Sequence, residues 1–266
     1  MSTKLRATTR YLFLEQLKQL GQGYLALLVI FVILPLLVAL VTGNITNFNL
    51  LKTVGNFSLG AFLALFLFIL NVTTYDVFKL LIQNGIARRT YWAARVICLV
   101  VLSVLGEAIV GLYYYGVYAP MHNLTTQRAL SQTAYSLYAD FLGKNLAVNL
   151  LAGAVFSIIL YILIGTAGML IGSFLALFSK WVQWLIIIIL PFAGFSLLMV
   201  GISNVSGYSN YDFSGVEAFF KFLIGYPQNA TAGLFNPTVP TITLLLLSAV
   251  MAALAYYCSQ HLKIKQ

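Results

Sequence analysis

Few side chains in this 266-residue chain have the type and spacing for chemistry, so each can be weighed in turn. Glu107 is a carboxyl well inside an apolar run, near the middle of 92–118. A charge there costs on the order of 3 kcal/mol on insertion scales, so the group must face protein or water. Two roles fit that position: a carboxylate lining a pathway or cavity, or a protonated acid hydrogen-bonded to a neighbouring helix in packing. Arg88 and Arg89 form the densest positive pair, just after Asn84-Gly85, and can engage carboxylates or phosphates.

Other chemistries fail on residue type. A phosphate-cradling GxxxxGK[ST] loop is missing: Gly143-Lys144 is followed by Asn145 and has Tyr138 where the first glycine belongs. The chain cannot hydrolyse ATP by itself and reads as no enzyme. HExxH is absent, and His122 and His261 lie in loops, so a membrane serine hydrolase lacks its base. Cys98 lies inside a span and Cys258 near the end of the last, which gives no disulfide framework and no metal site. "HNLT" at 122–125 and "NVTT" at 71–74 match glycan acceptors, but such triplets arise by chance in a chain this rich in Asn and Thr.

The elements that must position these residues are membrane helices. The chain is 61% hydrophobic and 8% charged, too little charge to cover a soluble domain. Its apolar runs are continuous and reach the roughly 20 residues that a helix needs to cross a bilayer, unlike the alternating segments of an outer-membrane barrel. Six spans are expected, at about 24–41, 57–74, 92–118, 145–168 with an extension to 179, 181–200 with a kink at Pro191, and 241–258. The run 145–179 is either one long helix or one broken at Gly165, Gly168 and Gly172. Gly168 and Gly172 also have the spacing that lets helices approach closely. The expected fold is thus an all-α polytopic membrane protein, with the whole chain one transmembrane domain.

Three shorter elements accompany the spans. Leu5, Leu12, Phe13, Leu17 and Leu20, with Lys4, Arg6, Arg10 and Lys18, predict an amphipathic helix within 1–22 lying in the lipid interface. The charged start does not suit a signal peptide, so the first span is expected to stay in the mature protein. "GVEAFFKFLIGY" at 215–226 predicts a short amphipathic helix between spans five and six.

The charge of +9 is a topology signal and not a nucleic-acid patch, because the cations sit at the ends of apolar runs. Six spans put both termini on one side, together with eleven of the fifteen Lys and Arg, so both termini are expected in the cytoplasm. Trp92, Trp181 and Trp184 then fall at the inner interface, and Tyr113, Tyr114, Tyr115 and Tyr118 at the outer one.

On this topology 75–91 is a cytoplasmic loop. Asp76 can cap a helix carrying Val77, Phe78, Leu80, Leu81 and Ile82, more apolar surface than a solvated loop needs, and Asn84-Gly85 can end it. That is a docking element for a cytoplasmic partner; alternatively it lies on the membrane and the arginines serve topology alone.

Phe78-x5-Asn84-Gly85-Ile86-x-Arg88-Arg89-x-Tyr91 resembles the "nGisR" loop of permease subunits in the type-two family of bacterial ABC exporters. The resemblance extends over most of the chain in layout: interfacial helix, loop between spans two and three, and extracellular helical insertion before span six. Ala87 departs from it, since the family often has Ser there. The resemblance implies a coupling helix seated in a separate ATP-binding subunit, which carries the ATP and Mg. Asp76, Phe78, Leu81, Asn84, Gly85, Arg88 and Arg89 would form the joint, with Phe78 and Leu81 as apolar anchors. A second permease chain, the same or homologous, would complete a transporter for a hydrophobic or amphiphilic substrate such as a peptide antibiotic, lipid or drug. The Asn/Thr/Tyr/Lys-rich loops fit the plasma membrane of a Gram-positive bacterium. The main rival is a stand-alone carrier or channel that uses Glu107.

Overall fold

Long runs of Leu, Ile, Val, Ala and Phe with no interior charge satisfy their backbone only as helix when water is excluded. The computed structural model describes residues 3–43, 49, 57–189, 192, 196, 214–226 and 235–262, and every regular element among them is helical. The elements are α1 (Thr3–Leu28), α2 (Leu34–Val41), α3 (Leu59–Val72), α4 (Tyr75–Gln83), α5 (Arg88–Tyr113), α6 (Leu146–Leu175), α7 (Lys180–Ile189), α8 (Ser214–Leu223) and α9 (Thr238–His261). Four continuous helices are long and apolar enough to cross a membrane: Thr3–Val41, Arg88–Met121, Leu146–Leu175 and Thr238–His261. The pair α3 and α4, bent by 44° at Thr73-Thr74, makes a fifth if counted as one span. The expected fifth span is described only as α7 and two further residues; Pro191 lies outside the described residues.

One expectation is corrected. Residues 3–20 do not form a separate interfacial helix: they continue without a break, through a π turn at Val29–Ile33, into the first span. A single stripe at intervals of four, Thr8, Leu12, Gln16 and Leu20, is buried, and α1 packs on α5. Helical spacing of apolar residues marks a buried face, but it does not say whether lipid or a neighbouring helix covers it. In 145–179 the glycines do not break the helix, and α6 runs whole from Leu146 to Leu175.

Those glycines let α3 and α6 touch. A Cβ on Gly168 would lie 2.5 Å from the Phe68 carbonyl oxygen, and one on Gly172 would lie 2.5 Å from that of Val72. Small residues at this spacing permit backbone-to-backbone contact that larger ones forbid. α6 also packs along α9.

The segment between α5 and α6 folds into a cap. Asn149, buried near the start of α6, donates from Nδ2 to the Asp140 carboxylate (2.8 Å) and the Gly143 carbonyl (3.0 Å), and accepts from the Asp140 amide (3.2 Å). It pins a turn in which Asp140 and Gly143 both have positive φ. Tyr135 and Tyr138 bury their rings against Phe156. The Tyr138 hydroxyl donates to the Ile224 carbonyl at 3.1 Å, and burial pushes its phenol above the ordinary value, which keeps it a donor.

Candidate functional site

The first half of α5 is a ladder of donors aimed at other helices. Helix ends and bends leave carbonyls without partners, and apolar surroundings make each one costly. Arg88 donates from Nη2 to the Leu262 carbonyl (2.8 Å) and from Nη1 to those of Ser259 (3.3 Å) and Gln260, gripping the C-terminus of α9. Trp92 donates to the Ala252 carbonyl at 3.0 Å on the same helix. Tyr91 donates to the Thr74 carbonyl (3.2 Å), and Arg95 from Nη2 to the Asn71 carbonyl (2.7 Å), on either side of the α3–α4 bend. Arg95, although buried, rests its guanidinium 5.6 Å from the centre of the Tyr91 ring.

α4 is therefore held firmly. Its C-terminus is closed by paired turns: the Gly85 amide donates to Ile82 (3.0 Å), the Ile86 amide to Leu81 (3.1 Å), and Gly85 takes φ +76°. This is the glycine-closed helix end that Asn84-Gly85 suggests, with Leu81 and Ile86 packed on a common cluster. Asn84 adds a bond from Nδ2 to the Leu80 carbonyl at 2.8 Å. Thr74, not Asp76, occupies the N-cap; Asp76 sits in the first turn, where a negative charge suits the helix dipole. Ala87 caps α5 with no side-chain bond, as its lack of a hydroxyl requires.

Two sequence-derived site residues point elsewhere than expected. Phe78 is not an outward anchor: it is 1% exposed and packs with Leu12, Tyr91, Ala94, Cys98 and Leu262. An amphipathic helix shows that an apolar face is covered, and here the chain's own termini cover it. Arg88 is likewise engaged within the chain, over Phe78 as well as on α9. Leu81 is half-buried. The outward side of this junction carries Asp76, Leu80, Gln83, Asn84 and Arg89, all exposed. Leu80 and Gln83 are residues that the sequence reading left out of the joint.

Glu107 lies further along α5, beside a cavity of 1330 Å³ between α3, α5, α6 and the cap. Tyr161 of α6 lines the same cavity, and Glu107 Oε2 is buried without a partner among the described residues. Gly60 faces the Tyr161 hydroxyl, since a Cβ there would lie 3.0 Å from it. Among the described residues Glu107 is the only charged one lining this cavity, and Tyr113, Tyr114, Tyr115 and Tyr118 form much of its aromatic wall. Glu107 thus borders both a cavity and the neighbouring helix α6. Among the described residues no group of His, Cys, Asp and Glu could hold a metal ion. No protein-family model, curated protein or solved structure matches the chain.

Proposed function

We propose that this chain is the transmembrane permease subunit of an ATP-driven exporter, worked by a separate ATP-binding-cassette subunit docked on α4 and residues 84–89. The observation that carries this reading is the rigid bend at Thr73-Thr74, whose carbonyl at Asn71 is held by Arg95 and whose carbonyl at Thr74 is held by Tyr91. A short helix held so tightly acts as a lever: force on its exposed face reaches α3 and α5 together. The chain needs a partner for that force, because it carries no phosphate-binding loop.

Connectivity supports six crossings. Ala176, just after α6, packs on the cluster of Phe78 and Tyr91, whereas Phe235, just before α9, packs with Tyr138 and Phe156 at the opposite end. Those two points lie at opposite ends of the bundle, as an odd number of crossings between them would require. Leu5 and Leu262 pack on the same cluster as α4, which puts both ends of the chain beside the proposed docking surface. The Lys/Arg excess at that end makes it cytoplasmic. The working assembly is then two permease chains and two ATPases in the plasma membrane, moving a hydrophobic or amphiphilic substrate.

A stand-alone carrier is the second reading, favoured only by the cavity around Glu107. Purification from the native membrane decides between them: an ATPase copurifies and hydrolyses ATP in the complex if the permease reading holds. Substrate movement by the chain alone, driven by an ion gradient, would replace it with the carrier.

A further inference from the structure

We propose that the cavity beside Glu107 is a binding site for a lipophilic organic cation, an amphiphile with one positive centre and an apolar body. The inference deepens the transport reading and rests on it for the fate of the ligand, though not for binding.

Three observations meet at this place. The first is size: at 1330 Å³ the cavity exceeds the roughly 300–1,000 Å³ of ordinary small-molecule pockets, so it can take a bulky apolar body. The second is charge. Among the described residues Glu107 is its single charged side chain, and no cation pairs with it. Its Oε2 is a buried acceptor without a donor among the described residues. Buried acceptors without donors are costly, and an intramembrane acid without its own counter-ion suits a ligand that brings one.

The third observation is the wall. Tyr114 and Tyr115 stack edge to face at 5.2 Å, and Tyr114 stacks parallel on Tyr118 at 5.0 Å, so the carboxyl shares its cavity with a run of electron-rich rings. Tyr115 lies close enough to feel the Glu107 charge. Ring faces attract cations, most strongly where water is excluded. A lipophilic anion meets the opposite: a like charge at Glu107 and the negative faces of the tyrosines. A neutral lipid would use the apolar walls but leave Oε2 unsatisfied. The chemistry selects a cation.

The test uses the full-length permease in nanodiscs of neutral lipid and two probes of matched size and opposite charge, tetraphenylphosphonium and tetraphenylborate. Saturable binding of the phosphonium and none of the borate is expected. Glu107→Gln should weaken phosphonium binding at least about thirtyfold, as removal of one partner of a desolvated charge pair does, with the thermal melt unchanged. Ser157→Phe, which fills the cavity and leaves Glu107 in place, should also abolish binding, and it keeps the test valid if Glu107→Gln misfolds. Equal binding of both probes, or wild-type affinity in a folded Glu107→Gln variant, overturns the proposal. Glu107-dependent binding by a permease that recruits no ATPase would keep this site and remove the exporter. A permease that recruits its ATPase but binds no phosphonium would do the reverse.

Discussion

Arg95 donates from Nη2 to the carbonyl of Asn71 at 2.7 Å, joining the middle helix of the bundle to the last turn of α3, where the chain bends into α4. Arginine suits the task because it stays charged, reaches far and lays its plane against Tyr91. Its Nε has no partner among the described residues, so one bond of this buried group is left unmade. Removing the side chain leaves the Asn71 carbonyl with only its longer bond from the Thr74 hydroxyl, at 3.2 Å. Arg95→Leu should lower stability by about 1.5–3 kcal/mol, the contribution of a hydrogen bond from a charged group. Arg95→Lys should recover part of it. Thermal melts in detergent read the difference, and an unchanged melting point for Arg95→Leu would deny the bond its role.

The glycines of α6 reverse an ordinary rule. Gly→Ala within a helix is usually stabilising by about 1 kcal/mol. At Gly172 the new methyl meets the Val72 carbonyl oxygen at 2.5 Å and its Cα at 2.8 Å, both rigid backbone. Gly172→Ala and Gly168→Ala should each destabilise by about 1–3 kcal/mol, as overpacking does. Gly111→Ala, with nothing within 4 Å among the described residues, should be neutral or stabilising. Melting curves of the three variants would show the opposite signs side by side.

Arg88 and Arg89 are neighbours with different work. Arg88 holds three carbonyls at the end of α9, whereas Arg89 is exposed. Arg88→Ala should fray that helix end and speed alkylation of Cys258, while Arg89→Ala should not. Cys98 is fully buried, so the thiol signal reports Cys258. Equal alkylation rates in both variants would show that the grip on α9 is dispensable.

What could be read from the sequence was local. The end of α4 at Asn84-Gly85 was legible because a glycine at positive φ and the amides after it act within six residues. The apolar runs of α5, α6 and α9 were legible because each satisfies its own backbone, so their ends fall within a few residues of expectation. The inward turn of Phe78 was not, because amphipathicity fixes that a face is buried and leaves open what buries it. Leu12 and Leu262, which cover it, are far away in the chain. The same gap made residues 3–20 read as interfacial when α5 covers their stripe. The grip of Arg88 on α9 was not legible either, because its acceptors lie more than 170 positions away. For Glu107, spacing gave the depth; the cavity and Tyr161 come from the packing of α6.

The central claim is that an ATPase docks on the outward face of α4, and Leu80 tests it most directly. Leu80 is 47% exposed on that face, one residue from the buried end of the apolar stripe, so changing it leaves the chain's own core intact. An interface anchor commonly contributes about 2 kcal/mol or more, which is roughly thirtyfold in affinity. Leu80→Asp should therefore release the ATPase subunit at an unchanged permease level and melting point, whereas Phe78→Ala should lower the melting point first. A photo-crosslinking residue at position 80 should capture a polypeptide carrying a GxxxxGK[ST] loop. Pull-down of the ATPase with the Leu80→Asp permease is the decisive measurement: loss of the subunit is the predicted result, and retention at the wild-type level would contradict the coupling role of α4.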